Sequence, residues 1–159
     1  MSTRASVCRH PIHPMLIVFP LGLWIFAFVC YVVYTANGVV AWRVASLYAM
    51  AGGIIGAVLA AVPGLIDLLT LRGSRVWTTG VSHMIANVTA LILFIIAFAV
   101  GVTRDGPSTA TLVLSILGLI AVGIGGWLGG ALVYEHGVGV APGQRQEARE
   151  LQEVQESRR

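Results

Sequence analysis

The residues able to do chemistry here are few: four histidines, a carboxylate inside an apolar run, and an asparagine one helical turn from a histidine. His10 and His13 stand in His10-Pro-Ile-His13-Pro, where the prolines stiffen the backbone and hold two imidazoles near one another. That pairing suits metal ligation or an interfacial cap. Asp67 is flanked by Leu65, Ile66, Leu68 and Leu69, so its carboxylate needs a cation, a hydrogen-bond donor or a proton. A structural ion pair with Arg9, Arg72 or Arg75 meets that need as well as a metal does. His83 and Asn87 are four apart and share a helix face, so one can bind a ligand while the other orients it. Interhelical hydrogen bonding is the alternative use of the pair. Tyr134, Glu135 and His136 close the last apolar run, and His136, just past it, reads as an exposed histidine at a helix end.

Two ligand sets follow. His10, His13 and His83 with Asp67 offer neutral nitrogens and one carboxylate, a donor set for zinc or iron. His83, His13 and Asn87 form a second set, for a cofactor held at the same end. No glycine-rich phosphate loop, nucleophile elbow or zinc-protease helix occurs. No catalytic residue is assigned, and a stand-alone enzyme is not expected.

The elements that must position these groups are membrane helices. Of 159 residues, 57% are apolar and 11% charged, and the mean hydropathy is +0.84, which excludes an ordinary water-soluble domain. Residues 15–34, 44–69, 81–102 and 110–134 are nearly unbroken apolar runs of 20, 26, 22 and 25 residues. A bilayer core about 30 Å thick needs roughly 20 helical residues, so each run can span it. Strands of a membrane barrel would be about half as long and would alternate in polarity. The first run is too long for a cleaved signal peptide and lacks a nearby small-x-small site. Short connections at 35–43, 70–80 and 103–109 make neighbouring helices antiparallel. The expected fold is therefore all-α, an antiparallel four-helix transmembrane bundle: a segment 1–14 carrying the histidine-proline motif, a membrane domain 15–134 and a charged tail 135–159.

With an even number of spans both termini share a side. Arg4, Arg9, Arg72, Arg75, Arg145 and Arg149 lie there, against Arg43 and Arg104 on the other, so the termini are expected in the cytoplasm. The tail 144–159 balances four arginines with four glutamates and offers no basic patch for nucleic acid. This topology brings His10, His13, Asp67, His83, Asn87 and His136 to one end of the bundle.

Pro14 falls in a tolerant first turn, while Pro20 and Pro63 lie within spans, where each frees a carbonyl and bends its helix. Gly52, Gly56, Ala60 and Gly64 form a small-residue stripe, and Gly125 with Gly129 and Gly126 with Gly130 repeat its spacing. Such faces let backbones approach closely in lipid, with clearance for a flat cofactor as the second use. Cys8 and Cys30 are not expected to pair, being at different depths. Trp42 and Trp77 fall at span ends, where indoles anchor.

The residues His10-Pro-Ile-His13-Pro-Met-Leu-Ile-Val-Phe-Pro20, Gly64-Leu-Ile-Asp67, His83 with Asn87, and Gly126-Trp-Leu-Gly-Gly130 through Tyr134-Glu-His-Gly-Val-Gly-Val140 resemble the DUF2231 family of bacterial membrane proteins, over nearly all of 10–140. The resemblance implies the fold and a bacterial inner-membrane location. Some members look like membrane parts of redox proteins joined to Rieske or cytochrome-like domains, which implies b-type haem as a cofactor. No such domain is expected within these 159 residues, and Val18 stands where other members carry a histidine. The expected function is a redox-accessory membrane module whose cytoplasmic-end cluster binds a transition metal or haem b, in contact with lipid and with a redox partner or further copies of itself. A small proton-coupled transporter titrating Asp67 and His83, and a structural subunit of a membrane complex, are the alternatives.

Overall fold

A computed structural model describes residues 6–7, 10–140, 151 and 153–157. A two-residue antiparallel ladder, β1 (Ser6–Val7) with β2 (His10–Pro11), leads into α1 (Ile12–Leu16). Four long helices follow: α2 (Val18–Asn37), α3 (Val40–Thr70), α4 (Trp77–Thr103) and α5 (Thr109–Tyr134). Taken with α1, they give four segments long and apolar enough to cross a membrane, Ile12–Asn37, Val40–Thr70, Trp77–Thr103 and Thr109–Tyr134. The all-helical antiparallel bundle is as the apolar runs predict. The first three segments overrun their apolar runs by five or six residues and the last by one, because flanking residues continue the hydrogen-bond ladder.

Local chemistry sets the breaks. Pro20 has no N–H to give the carbonyl of Leu16, and α1 stops at Leu16 before α2 begins. Ile17 keeps helical dihedrals and its N–H reaches the His13 carbonyl at 3.2 Å, so His13 lies about a turn ahead of α2 on nearly continuous helix. Gly38 ends α2 in the left-handed conformation, φ 70°, with its N–H on Tyr34 O. Ser108 caps α5 by accepting from Thr111 N–H. The Arg43 guanidinium donates to the carbonyls of Gly101 and Arg104, both at 2.8 Å, closing the end of α4 from the neighbouring helix.

α2 packs along α3 and α4 along α5; α3 with α4 and α2 with α5 complete the ring. Across the middle, the Trp24 and Phe94 rings stack at 4.3 Å and 8°. The interior is otherwise small: Ala27, Ala90 and Ala97 are fully buried, with Met50 beside them. Large residues such as Phe19, Ile55, Leu59 and Ile120 face outward. That inversion of a water-soluble core fits helices that pack by close approach and present bulky apolar side chains to lipid. Trp42 and Trp77 lie in the first turns of α3 and α4, and the Arg72 guanidinium sits 5.8 Å over the Trp77 ring. Cys30 is a buried free thiol; Cys8 lies outside the described residues.

Candidate functional site

The breaks and kinks above deliver two imidazoles to one end of the bundle. His13, on α1, places Nδ1 2.8 Å from the carbonyl oxygen of Ala60 in α3. A carbonyl only accepts, so Nδ1 carries the proton and the neutral ring keeps its lone pair on Nε2. Gly64, four residues beyond Ala60, makes the approach sterically open: a Cβ there would stand 2.8 Å from His13 Nδ1. Pro63 in the same turn lacks the N–H that a helix normally presents, which loosens the ladder where the ring docks.

His83, in the second turn of α4, is held the same way. Its Nδ1 lies 2.8 Å from the carbonyl oxygen of Gly125 in α5, and a Cβ on Gly129, again four residues on, would stand 3.0 Å from the ring. Each imidazole thus rests on a carbonyl whose usual cover, the side chain one turn later, is a single hydrogen. The two rings stand with centroids 6.1 Å apart and planes at 86°. Both are half-buried.

Asn87 lies over His83. Its Nδ2 donates to the His83 carbonyl at 2.8 Å and stands 3.4 Å from each ring nitrogen, an equal spacing that places the amide against the ring face. It fits because Gly125 has no side chain: a Cβ there would be 2.7 Å from Asn87 Nδ2. The shared face of His83 and Asn87 is therefore real, with the amide as a wall of the imidazole's seat.

The His10 side chain lies outside the described residues, although its backbone pairs with Val7. Asp67 is half-buried on α3, and Thr70 donates its hydroxyl to the Asp67 carbonyl at 2.6 Å. Among the described residues no three of the His, Cys, Asp and Glu side chains gather closely enough to hold a metal ion. The described part of the site supplies two nitrogens, not the four donors of His10, His13, His83 and Asp67. His136 is exposed beyond the end of α5, as expected for a helix-end histidine.

The role of the glycines is the feature sequence reasoning missed. Read as backbone contacts or cofactor clearance, they are seats for named side chains: Gly64 for His13, Gly129 for His83, Gly125 for Asn87, Gly56 for Pro20, and Gly53 for the Trp24 indole. Gly126 has nothing within 4 Å and takes no part. The available signal was the interval of four between a small residue and a glycine on the helix facing a histidine, and it needs the helix pairing to be read.

No curated protein and no solved structure matches the chain. A family model described as a predicted membrane protein (DUF2231) matches residues 9–142, and on that match across most of its length the chain belongs to this family.

Proposed function

We propose that this protein is an integral membrane module of the bacterial inner membrane, accessory to electron transfer, in which His13 and His83 hold one transition-metal centre, either haem b or a single ion. The observation that carries the reading is the matched pair of imidazoles, each with Nδ1 committed to a backbone carbonyl. Histidines that bind metals through Nε2 usually give their other N–H to a carbonyl or carboxylate, which fixes both tautomer and ring direction. The spacing supports the same reading. With metal–nitrogen bonds of about 2 Å, centroids 6.1 Å apart are within the separation at which His13 and His83 would hold one metal centre between them.

The residues divide the work. His13 and His83 bind, Asn87 shields one face of His83, and the carbonyls of Ala60 and Gly125 hold both rings against rotation. Such a centre, when bound, would supply one-electron exchange at the membrane surface. The arginine-rich end that carries it faces the cytoplasm in this reading, by the excess of arginines there.

The test is an absorption spectrum and metal analysis of the full chain purified in detergent, before and after titration with hemin, with zinc and iron salts as separate arms. The expected result is a Soret band with hemin at one equivalent, abolished or blue-shifted in His83→Ala and His13→Ala. A folded protein that takes up neither hemin nor metal overturns the proposal and leaves the structural and transport alternatives.

A further inference from the structure

The two halves of the chain put like residues at like places. His83 follows His13 by 70 residues, and the same interval joins Leu21 to Leu91, Leu23 to Leu93, Ile25 to Ile95, Ala27 to Ala97 and Phe28 to Phe98. Along the returning helices an interval of 65 joins Leu47 to Leu112, Gly53 to Gly118, Ile55 to Ile120 and Gly64 to Gly129. The interval shortens because α2 ends and α3 begins about a turn farther from the histidine end than their counterparts. Burial keeps the same register: Pro20 and Ala90, Trp24 and Phe94, Ala27 and Ala97 are buried pairs, as are Ser46 and Thr111, and Ala60 and Gly125.

Any bundle shows helical periodicity of burial, so periodicity alone decides nothing. The contacts decide. Trp24 lies on Gly53 as Phe94 lies on Gly118, and His13 lies on Ala60 and Gly64 as His83 lies on Gly125 and Gly129. Four side chains related by the first interval thus touch six residues related by the second, in two hairpins far apart in the chain. Where ring contacts join the halves, they join counterparts: Trp24 to Phe94, and His13 to His83. Self-pairing of equivalent residues is the mark of a twofold axis.

We infer that the chain is a tandem duplicate of one helical hairpin, α1–α2–α3 repeated as α4–α5, with a pseudo-twofold axis passing between Trp24 and Phe94 and between His13 and His83, and that the imidazole site binds a metal centre equally from both halves. Both hairpins begin at the same end, so the axis runs along the bundle, as in transporters built from parallel repeats. The duplication stands on the contacts; the equal ligation rests on the metal-centre reading above. A centre on the axis meets the same donor from either side, which suits an iron with two opposed axial positions.

Paired variants of the full chain test both parts. Gly64→Ala and Gly129→Ala each drive a Cβ into an imidazole, and their thermal midpoints in detergent are expected to fall by several degrees and to agree within about 2 °C, on the scale of roughly 2–4 °C per kcal/mol for this length. Gly126→Ala, which meets nothing, is the reference. The exchange Trp24→Phe with Phe94→Trp is expected to recover most of the loss seen in Phe94→Trp alone. One glycine variant matching the reference while its counterpart collapses, together with no recovery in the exchange, overturns the duplication. For the ligand, hemin bound to His13→Ala and to His83→Ala should give the same single-imidazole spectrum, with added imidazole restoring the parent spectrum in both. Loss of hemin in one variant alone overturns equal ligation. No hemin binding in the parent protein defeats the metal-centre reading and with it equal ligation, while the glycine and exchange variants still decide the duplication.

Discussion

At the scale of single residues, what matters is whether a polar atom keeps a partner when its neighbour is removed. Tyr31 is fully buried; its oxygen accepts from Ser108 N–H at 2.9 Å and its hydroxyl faces Ser108 O at 3.4 Å. Ser46 donates to Ala27 O at 2.8 Å, a carbonyl that α2 already engages in its own ladder. Tyr31→Phe strands an N–H at the start of α5 and should cost about 1–3 kcal/mol, whereas Ser46→Ala leaves its acceptor satisfied and should cost about 1 kcal/mol or less. Thermal unfolding in detergent checks the order, which equal losses would refute. The same logic shows what the sequence made legible. The pairing of His83 with Asn87 follows from an interval of four on one helix and is seen. The carbonyl partners of His13 and His83 lie 47 and 42 residues away, on helices whose rotation about their axes no local pattern fixes, so the seats stayed hidden although their glycines were noticed.

Elements explain how the two histidines come to be offered from different kinds of backbone. His83 rides on a helix with no missing bond near it, whereas His13 lies just ahead of the Leu16 carbonyl that Pro20 leaves without its donor, with the bonds of Ile17 to His13 and Leu21 to Ile17 kept on either side. The Pro20 ring also fills the space over Gly56, where a Cβ would be 3.2 Å from Pro20 Cδ. Pro20→Ala lets the ladder run unbroken from α1 into α2, which favours the helix by removing a break of up to ~3 kcal/mol and turns His13 away from Ala60. The expected outcome is a protein no less helical by circular dichroism that binds hemin as weakly as His13→Ala. Tight binding with an unchanged spectrum would show that the break does not position the histidine. The apolar runs gave the existence and number of spans directly, because span length is set by the bilayer. Their ends were not legible: the first connection shrinks from the nine residues 35–43 to 38–39, since Thr35 bonds within its helix, Arg43 reaches α4, and the Asn37 side chain accepts from Val39 N–H in the connection.

For the whole molecule, lipid as solvent accounts for the distribution of size. Alanines and glycines line the interior while Phe19, Ile55 and Leu59 point outward, so the fold gains little from sequestering apolar surface and depends on close packing and on few internal hydrogen bonds. A polar group is then best placed where it has both a partner inside the bundle and water nearby. The imidazole end satisfies both: Nδ1 of each ring has its carbonyl, and the exposed Arg72 and Arg75 of the connection between α3 and α4 mark that end as wet. At the opposite end Arg43 is consumed in closing α4, leaving Arg104 as the exposed arginine of that loop. The carbonyls that hold Arg43 are neutral and leave its charge in place, so the expectation that termini and imidazoles share the cytoplasmic side rests on the sequence count of six arginines against two. Single cysteines at Ser157 and at Asp105, in a Cys8→Ser, Cys30→Ala background, test it with a membrane-impermeant maleimide. Asp105→Cys should label in intact spheroplasts and Ser157→Cys only in inverted vesicles. The reverse pattern would put the imidazole pair on the outer face, where its electron donor or acceptor would have to be sought instead.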